Sequence, residues 1–256
     1  MRNPLPDIFL RTPLAHRALH DLDAWRPENS RSAVAAAMRA GYGIEIDVQI
    51  SADGQAMVFH DATLDRMTAE AGPIEARDAA SLRQISLNNG TEGIPTLSDI
   101  LALVAGRVPV LVEIKDQHGQ MGETEGRLEE AVATAIKRYH GPLALMSFNP
   151  NSMRRLLHLA GDWPRGLTTA AFDPTDWALL APEVCDHLRA IPDYESVGAS
   201  FLSHEWSDLS RPRVRDLASW GADLLCWTVH SPEQEVEARR IADNITFEGY
   251  GPAFPA

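Results

Sequence analysis

The sequence predicts a (β/α)8 barrel. Short apolar runs alternate with amphipathic helical stretches almost from end to end, the pattern of parallel strands joined by crossover helices. The 256 residues suit one closed ring of such units, a single domain over 1–256. No Gly-x-Gly-x-x-Gly loop follows the first strand, which weighs against an open doubly wound sheet.

The elements follow in order. Residues 13–16 form a brief apolar run. In Pro27-Glu28-Asn29-Ser30, Asn29 or Ser30 can cap a helix carrying Ala33, Val34, Ala37 and Met38, with Gly41 as its stop. Residues 44–50 read as a strand, continued by 56–59 after the Asp53-Gly54 turn. Thr96 or Ser98 opens a helix through Ile100, Leu101 and Val104. A strand at 108–114 precedes the helical stripe Leu128, Ala131, Val132, Ala135, Ile136 and Tyr139. Strands then fall at 143–148, 166–171, 197–202, 223–229 and 245–247, with helices at 151–159, 177–188, 213–220 and 232–241 between them. Residues 61–93 break the rhythm: polar, rich in small residues and too long for an ordinary βα loop. They follow the second strand at the edge where barrels build active sites, so they predict a small inserted subdomain forming one wall of a substrate cleft. A plain surface excursion is the alternative.

Composition narrows the partners. There are 23 Lys+Arg against 36 Asp+Glu, a formal charge of −13, which disfavours nucleic acid and anionic membrane. No apolar run reaches the ~18 residues of a membrane span, and Met1-Arg2-Asn3-Pro4-Leu5-Pro6 lacks the apolar segment of a secretory signal. Cys185 and Cys226 lie far apart, and Cys226 sits in an apolar run, as a buried thiol would. These features predict a cytoplasmic protein acting on a small molecule; oligomeric state is left open.

The chemistry concentrates on two strands. In Ile44-Glu45-Ile46-Asp47-Val48-Gln49-Ile50, period two puts the aliphatic residues on one face and Glu45 and Asp47 on the other. If the aliphatic face meets the outer helices, both carboxylates point into the barrel; a solvated edge strand is the alternative. Val110-Leu111-Val112-Glu113-Ile114-Lys115 repeats the device and adds a third carboxylate and a cation. Three oxygen donors suit a hard divalent cation such as Mg²⁺ or Ca²⁺, although Glu113 and Lys115 could instead form a supporting ion pair. His16 and His60 end apolar runs, and two histidines across a cleft can act as general acid and base. His60-Asp61 also fits a helical metal phosphohydrolase motif, which the strand context disfavours. Arg17 and Lys115 beside a divalent cation equip a site for a phosphodiester. Trp227 offers an apolar wall for an alcohol, or fills the core.

His16-Arg17, Pro27-Glu28-Asn29-Ser30, Glu45-Ile46-Asp47-Val48, Asp53-Gly54, Val58-Phe59-His60-Asp61, Leu64-Asp65-Arg66-Met67-Thr68, Ile94-Pro95-Thr96-Leu97, Glu113-Ile114-Lys115, Ser147-Phe148 and Trp227-Thr228-Val229 occur in that order. The ordered set resembles the glycerophosphodiester phosphodiesterase family. The resemblance implies a barrel with a subdomain after the second strand, metal ligation by Glu45, Asp47 and Glu113, acid–base work by His16 and His60, phosphate contacts from Arg17 and Lys115, and Trp227 as a substrate wall. It further implies metal-dependent hydrolysis of glycerophosphodiesters to sn-glycerol 3-phosphate and an alcohol. Two departures stand out. Ala18 replaces the glycine usual after His-Arg, and Asp243-Asn244-Ile245-Thr246-Phe247-Glu248 replaces an Asp-Gly-Ile-Ile-Thr-Asp-like strand. The rival readings are a metal-dependent barrel lyase or aldolase and a non-catalytic phosphodiester-binding protein.

Overall fold

The computed structural model describes residues 2–255. Helix α1 (Ile8–Arg11) precedes strand β1 (Leu14–Ala15), helix α2 (Arg31–Ala40) and strand β2 (Gly43–Ile50). Then come β3 (Ala56–Val58), α3 (Ala79–Leu82), α4 (Leu97–Val104), β4 (Val110–Ile114), α5 (Arg127–Ile136), β5 (Leu143–Ser147), α6 (Pro150–Leu159) and β6 (Arg165–Thr169). The chain continues through α7 (Pro182–Ala190), β7 (Phe201–Glu205), α8 (Pro212–Ser219), β8 (Asp223–Val229), α9 (Pro232–Ala238) and β9 (Asn244–Phe247). All strands but β3 are parallel to their neighbours, and β1 pairs with both β2 and β9, which closes an eight-stranded ring. The predicted (β/α)8 barrel is the observed fold.

Period two does the sorting. Ile44, Ile46, Val48, Val110, Val112 and Ile114 pack outward against Val34, Ala37, Ile100, Leu101, Val104 and Val132 of the helices. Leu111, Ala144, Met146, Phe201 and Leu225 meet inside the ring, where Leu5 and Phe9 of the N-terminal segment join them. Asn244 ties that segment down, its side-chain amide donating to the Phe9 and Thr12 carbonyls at 2.7 Å each.

Between β3 and α4, residues 61–93 hold a 3-10 turn, the short α3 and a small apolar core of their own. Leu64, Met67, Ile74, Leu82 and Leu87 pack there on Met57 and Phe59, so this excursion is anchored to the barrel through β3. Gly93 permits a close backbone crossing: a Cβ there would lie 1.9 Å from the Arg83 carbonyl oxygen.

The structure corrects several boundaries. The helix expected at 177–188 is α7, begun by Ala181-Pro182, because proline is favoured in the first turn and its predecessor is extended. The strand expected at 197–202 is β7: Val197 is buried outside the strand, in a turn that bends at positive φ on Gly198. Ser30 alone caps α2, accepting from the Ala33 N–H, and Thr96 rather than Ser98 caps α4 in a reciprocal box with Asp99. After β9 the chain forms no eighth outer helix among the described residues; Phe254 stacks on Tyr42 with ring centroids 5.2 Å apart.

At the opposite end from the site, burial together with Asp243 and Asp7 pushes the Asp223 carboxyl up to about 6. A folded-state value above the unfolded one means that this group costs stability as pH rises from about 4 through 6. Asp223→Asn is therefore expected to stabilise the fold at pH 7.5 by about 1 kcal/mol after solvent screening, read as a higher melting temperature. The gain should vanish below pH 4. Thermal melts of both proteins at the two pH values check this.

Candidate active site

The site is built at the carboxyl ends of the strands. Alternation along β2 turns Glu45 and Asp47 inward, and the β2–β4 register sets Asp47 opposite Glu113. The three side chains are buried and offer oxygen atoms all within 4.8 Å of one another. Lys115, just past β4, donates to the Glu113 carboxylate at 2.7 Å and lies 3.4 Å from Asp47. Arg17, just past β1, gives its backbone N–H to Glu45 at 2.9 Å, its guanidinium to Glu28 at 3.0 Å, and sits 3.7 Å from Asp47.

The loop from β1 to α2 makes these contacts possible by unusual backbone. Arg17, Ala18 and Asn29 all have positive φ, at 50°, 65° and 57°. Ala18 thus adopts the left-handed conformation for which glycine is favoured, at a cost of about 1–2 kcal/mol. Its N–H reaches the Glu45 carbonyl at 2.9 Å, so the turn beside Arg17 survives the loss of glycine. Asn29, one of two possible helix caps in the sequence, instead donates its side-chain amide to Asp47 at 3.0 Å.

The charges are unevenly settled. Burial, with Asp47 and Glu113 as neighbours, raises the Glu45 carboxyl well above its ordinary value. Burial pushes Asp47 the same way, but Lys115, His60 and Arg17 overcome it and hold Asp47 far below the carboxylate range. Lys115 titrates above its usual value although burial opposes this, because Glu113 and Asp47 face it. Three carboxylates against two cations leave one negative charge unbalanced, carried where Glu45 is disfavoured as an anion. The oxygen-only donors and the excess negative charge fit a hard divalent cation.

Each histidine is held from behind. His16 Nδ1 lies 2.6 Å from Glu248, and His60 Nδ1 lies 2.6 Å from Asp61. A carboxylate on Nδ1 orients the ring and leaves Nε2 for a reacting group. The His16 hydrogen bond, against burial, draws Glu248 down to about 2. Asp61 is also held well below the carboxylate range: burial raises it, while bonds from His60 and Arg66 prevail.

One cavity of about 210 Å³ is lined by all eight sequence-predicted site residues: His16, Arg17, Glu45, Asp47, His60, Glu113, Lys115 and Trp227. Its other side is Met146, Phe148, Thr168, Thr228 and Thr246. Trp227 meets Phe148 edge to face at 5.4 Å and donates its indole N–H to the Ser203 carbonyl, so hydrocarbon faces the cavity. A larger groove of about 630 Å³ beside α5 is lined by Arg127, Lys137 and Arg138 but contains no histidine and no carboxylate cluster.

Sequence reasoning did not place Glu248, Asp61, Glu28, Asn29 or Arg66 among the site residues; Asn29 was read as a possible helix cap. Asp61 was signalled by its adjacency to His60. Glu248 carried no local signal, since its partner is 232 residues away.

Comparison with known proteins identifies the family and the fold. Residues 16–245 match the model of the glycerophosphoryl diester phosphodiesterase family. A glycerophosphodiester phosphodiesterase of Caldanaerobacter subterraneus is 32% identical over 150 residues, 55% of this chain and 60% of the relative. An Oleispira antarctica phosphodiesterase, solved in complex with the product sn-glycerol-3-phosphate, shares the fold at a TM-score of 0.76, with 23% identity and 93% of each chain covered. A Thermotoga maritima glycerophosphodiester phosphodiesterase superposes at a TM-score of 0.68, with 22% identity over 92% of this chain and 94% of its own. The chain belongs to the glycerophosphoryl diester phosphodiesterase family of phosphoric diester hydrolases.

Proposed function

We propose that the protein is a metal-dependent hydrolase of glycerophosphodiesters that releases sn-glycerol 3-phosphate and an alcohol. What carries this reading is one cavity holding two histidines, each backed by a carboxylate, beside three buried carboxylates and two cations. Glu45, Asp47 and Glu113 would hold Mg²⁺ or Ca²⁺, whose chemistry is to neutralise charge on a non-bridging phosphate oxygen. Arg17 and Lys115 hold the non-bridging oxygens and stabilise the charge that grows at phosphorus. One histidine takes the proton of the nucleophile as the new phosphorus–oxygen bond forms; the nucleophile is a water, or the glycerol 2-hydroxyl of the substrate, which gives a cyclic phosphate that a water then opens to sn-glycerol 3-phosphate. The other gives a proton to the departing alkoxide as the old bond breaks. Glu248 and Asp61 steady whichever ring is protonated. Trp227 and Phe148 offer the alcohol an apolar wall.

The Oleispira antarctica relative, bound to sn-glycerol-3-phosphate, supports the choice of product. The unpaired buried cysteines Cys185 and Cys226 support a reducing, cytoplasmic setting, and no helix among the described residues is long and apolar enough to cross a membrane. The test is a panel of glycerophosphodiesters assayed for glycerol 3-phosphate with Mg²⁺, Ca²⁺ and Mn²⁺. Release is expected to stop in EDTA and return with added cation. Absence of glycerol 3-phosphate with every diester and every cation would reject the proposal.

A further inference from the structure

Arg66, on the 61–93 excursion, touches neither the three-carboxylate cluster nor the cavity, yet it is the most heavily bonded side chain near them. Its guanidinium makes two paired contacts at once. Nε and one terminal nitrogen donate to Asp61 at 2.7 and 2.9 Å, and both terminal nitrogens donate to Glu28 at 2.7 and 2.9 Å. Asp61 is the carboxylate on His60 Nδ1, and Glu28 is the carboxylate on the Arg17 guanidinium. A single planar group thus links the orientation of His60, from the end of the β3 arm, to that of Arg17, from the end of β1. Arginine suits this task because its rigid fork engages two carboxylates in fixed geometry, which a lysine point charge does not.

The local structure shows why Arg66 can hold them. Its neighbour Met67 is buried in the small core of the excursion with Leu64 and Leu82, and the Asn88 side chain donates to the Arg66 carbonyl at 3.0 Å. Without Arg66, the Glu28 carboxylate keeps a side-chain hydrogen bond only from Arg17, and Asp61 only with His60. Arg66 itself keeps 46% of its side-chain surface, so its ion pairs add little to stability, but Glu28 and Asp61 keep only 12% and 22%, and the paired geometry fixes the two carboxylates on the side that meets Arg17 and His60.

We infer that Arg66 is a positioning residue that locks His60 and Arg17 into one geometry through Asp61 and Glu28, so that the excursion sets the alignment of the site rather than merely walling it. The inference rests on the acid–base reading of His60, and its test is chosen to stand apart from that reading. Arg66→Ala is expected to lower kcat by about 10–100-fold. KM for the diester and the melting temperature should change far less. Guanidinium at millimolar concentration should restore part of the lost turnover, and Arg66→Lys should fall between the parent and Arg66→Ala. Arg66→Ala combined with Asp61→Asn should lose less than the product of the two single losses, since the two share the His60 ring while Arg66 alone also acts on Arg17 through Glu28.

Imidazole ¹⁵N NMR gives a readout without turnover. His60 should hold a single Nδ1–H tautomer in the parent and average between tautomers in Arg66→Ala. Unchanged kcat together with an unchanged His60 spectrum would overturn the inference, as would full additivity in the double variant. If the parent hydrolyses no diester, the proposed function fails while the NMR comparison still decides the role of Arg66.

Discussion

Alanine in place of His16 or of His60 is expected to cut kcat by about 10²–10⁴-fold while the protein stays folded. The size follows from the roles: each ring transfers a proton in the step that makes or breaks a phosphorus–oxygen bond, and no other imidazole lines the cavity. Folding survives because neither ring is deeply buried; their side chains keep 18% and 28% of their surface. Asp61 also retains Arg66 as a partner, and Glu248 retains His20 at 3.6 Å. Glu248→Gln should cost less turnover, because an amide can still contact Nδ1 but cannot stabilise the imidazolium. It should also alter the acid limb of stability. The folded-state value of Glu248, about 2, lies below its unfolded one. Its contribution is therefore present above about pH 4.5 and lost as pH falls toward 2. Turnover assays and acid titrations of the three variants check these outcomes, and near-parental kcat in both histidine variants would reject the assigned roles.

The carboxylates should respond to substitution with opposite signs. In EDTA, Asp47→Asn is expected to destabilise the fold by on the order of 3 kcal/mol, because Lys115 and Arg17 lose a buried counter-charge. Glu45→Gln in the same buffer is expected to stabilise it by about 1 kcal/mol or more, because it removes a buried anion crowded by Asp47 and Glu113. The raised Glu45 carboxyl makes the cation-free parent lose stability as pH climbs above the ordinary glutamate value, and the Glu45→Gln variant should lack that slope. Divalent cation at 100 times its Kd should add about 2.7 kcal/mol to the parent, roughly 5–10 °C in melting temperature, and little to either variant. Both variants should be inactive. Thermal melts with and without Ca²⁺ or Mg²⁺ decide the matter, and a lower melting point for Glu45→Gln than for the parent in EDTA would contradict the charge assignment.

What was legible in the sequence was what period and order encode. The alternation in Ile44–Glu45–Ile46–Asp47 shows both the outward aliphatic face and the inward carboxylates, and the repeat at Val112–Glu113–Ile114–Lys115 extends it to the neighbouring strand. The strand–helix rhythm sufficed for the barrel. Boundaries blurred where a buried turn is as apolar as the strand it feeds, as at Val197 before β7. Contacts between distant segments left no periodic trace: Glu248 reaches His16, Arg66 reaches Glu28, and Asn29 reaches Asp47 only after the ring is assembled. Asn29 shows the ambiguity most clearly, since the same side chain satisfies the rules for a helix cap and is used instead to hold a carboxylate.

The pairing of β1 with β9 has a consequence for the order in which competence is acquired. The three carboxylates and the charged or titratable groups beside them in the cavity, His16, Arg17, His60 and Lys115, lie in the first 115 residues, whereas the carboxylate that backs His16 comes from residue 248. A nascent or truncated barrel could assemble the cation-binding half of the site and still lack an oriented His16. Turnover would then mark the moment the last strand docks, making hydrolysis itself a reporter of ring closure during refolding, delayed relative to cation uptake.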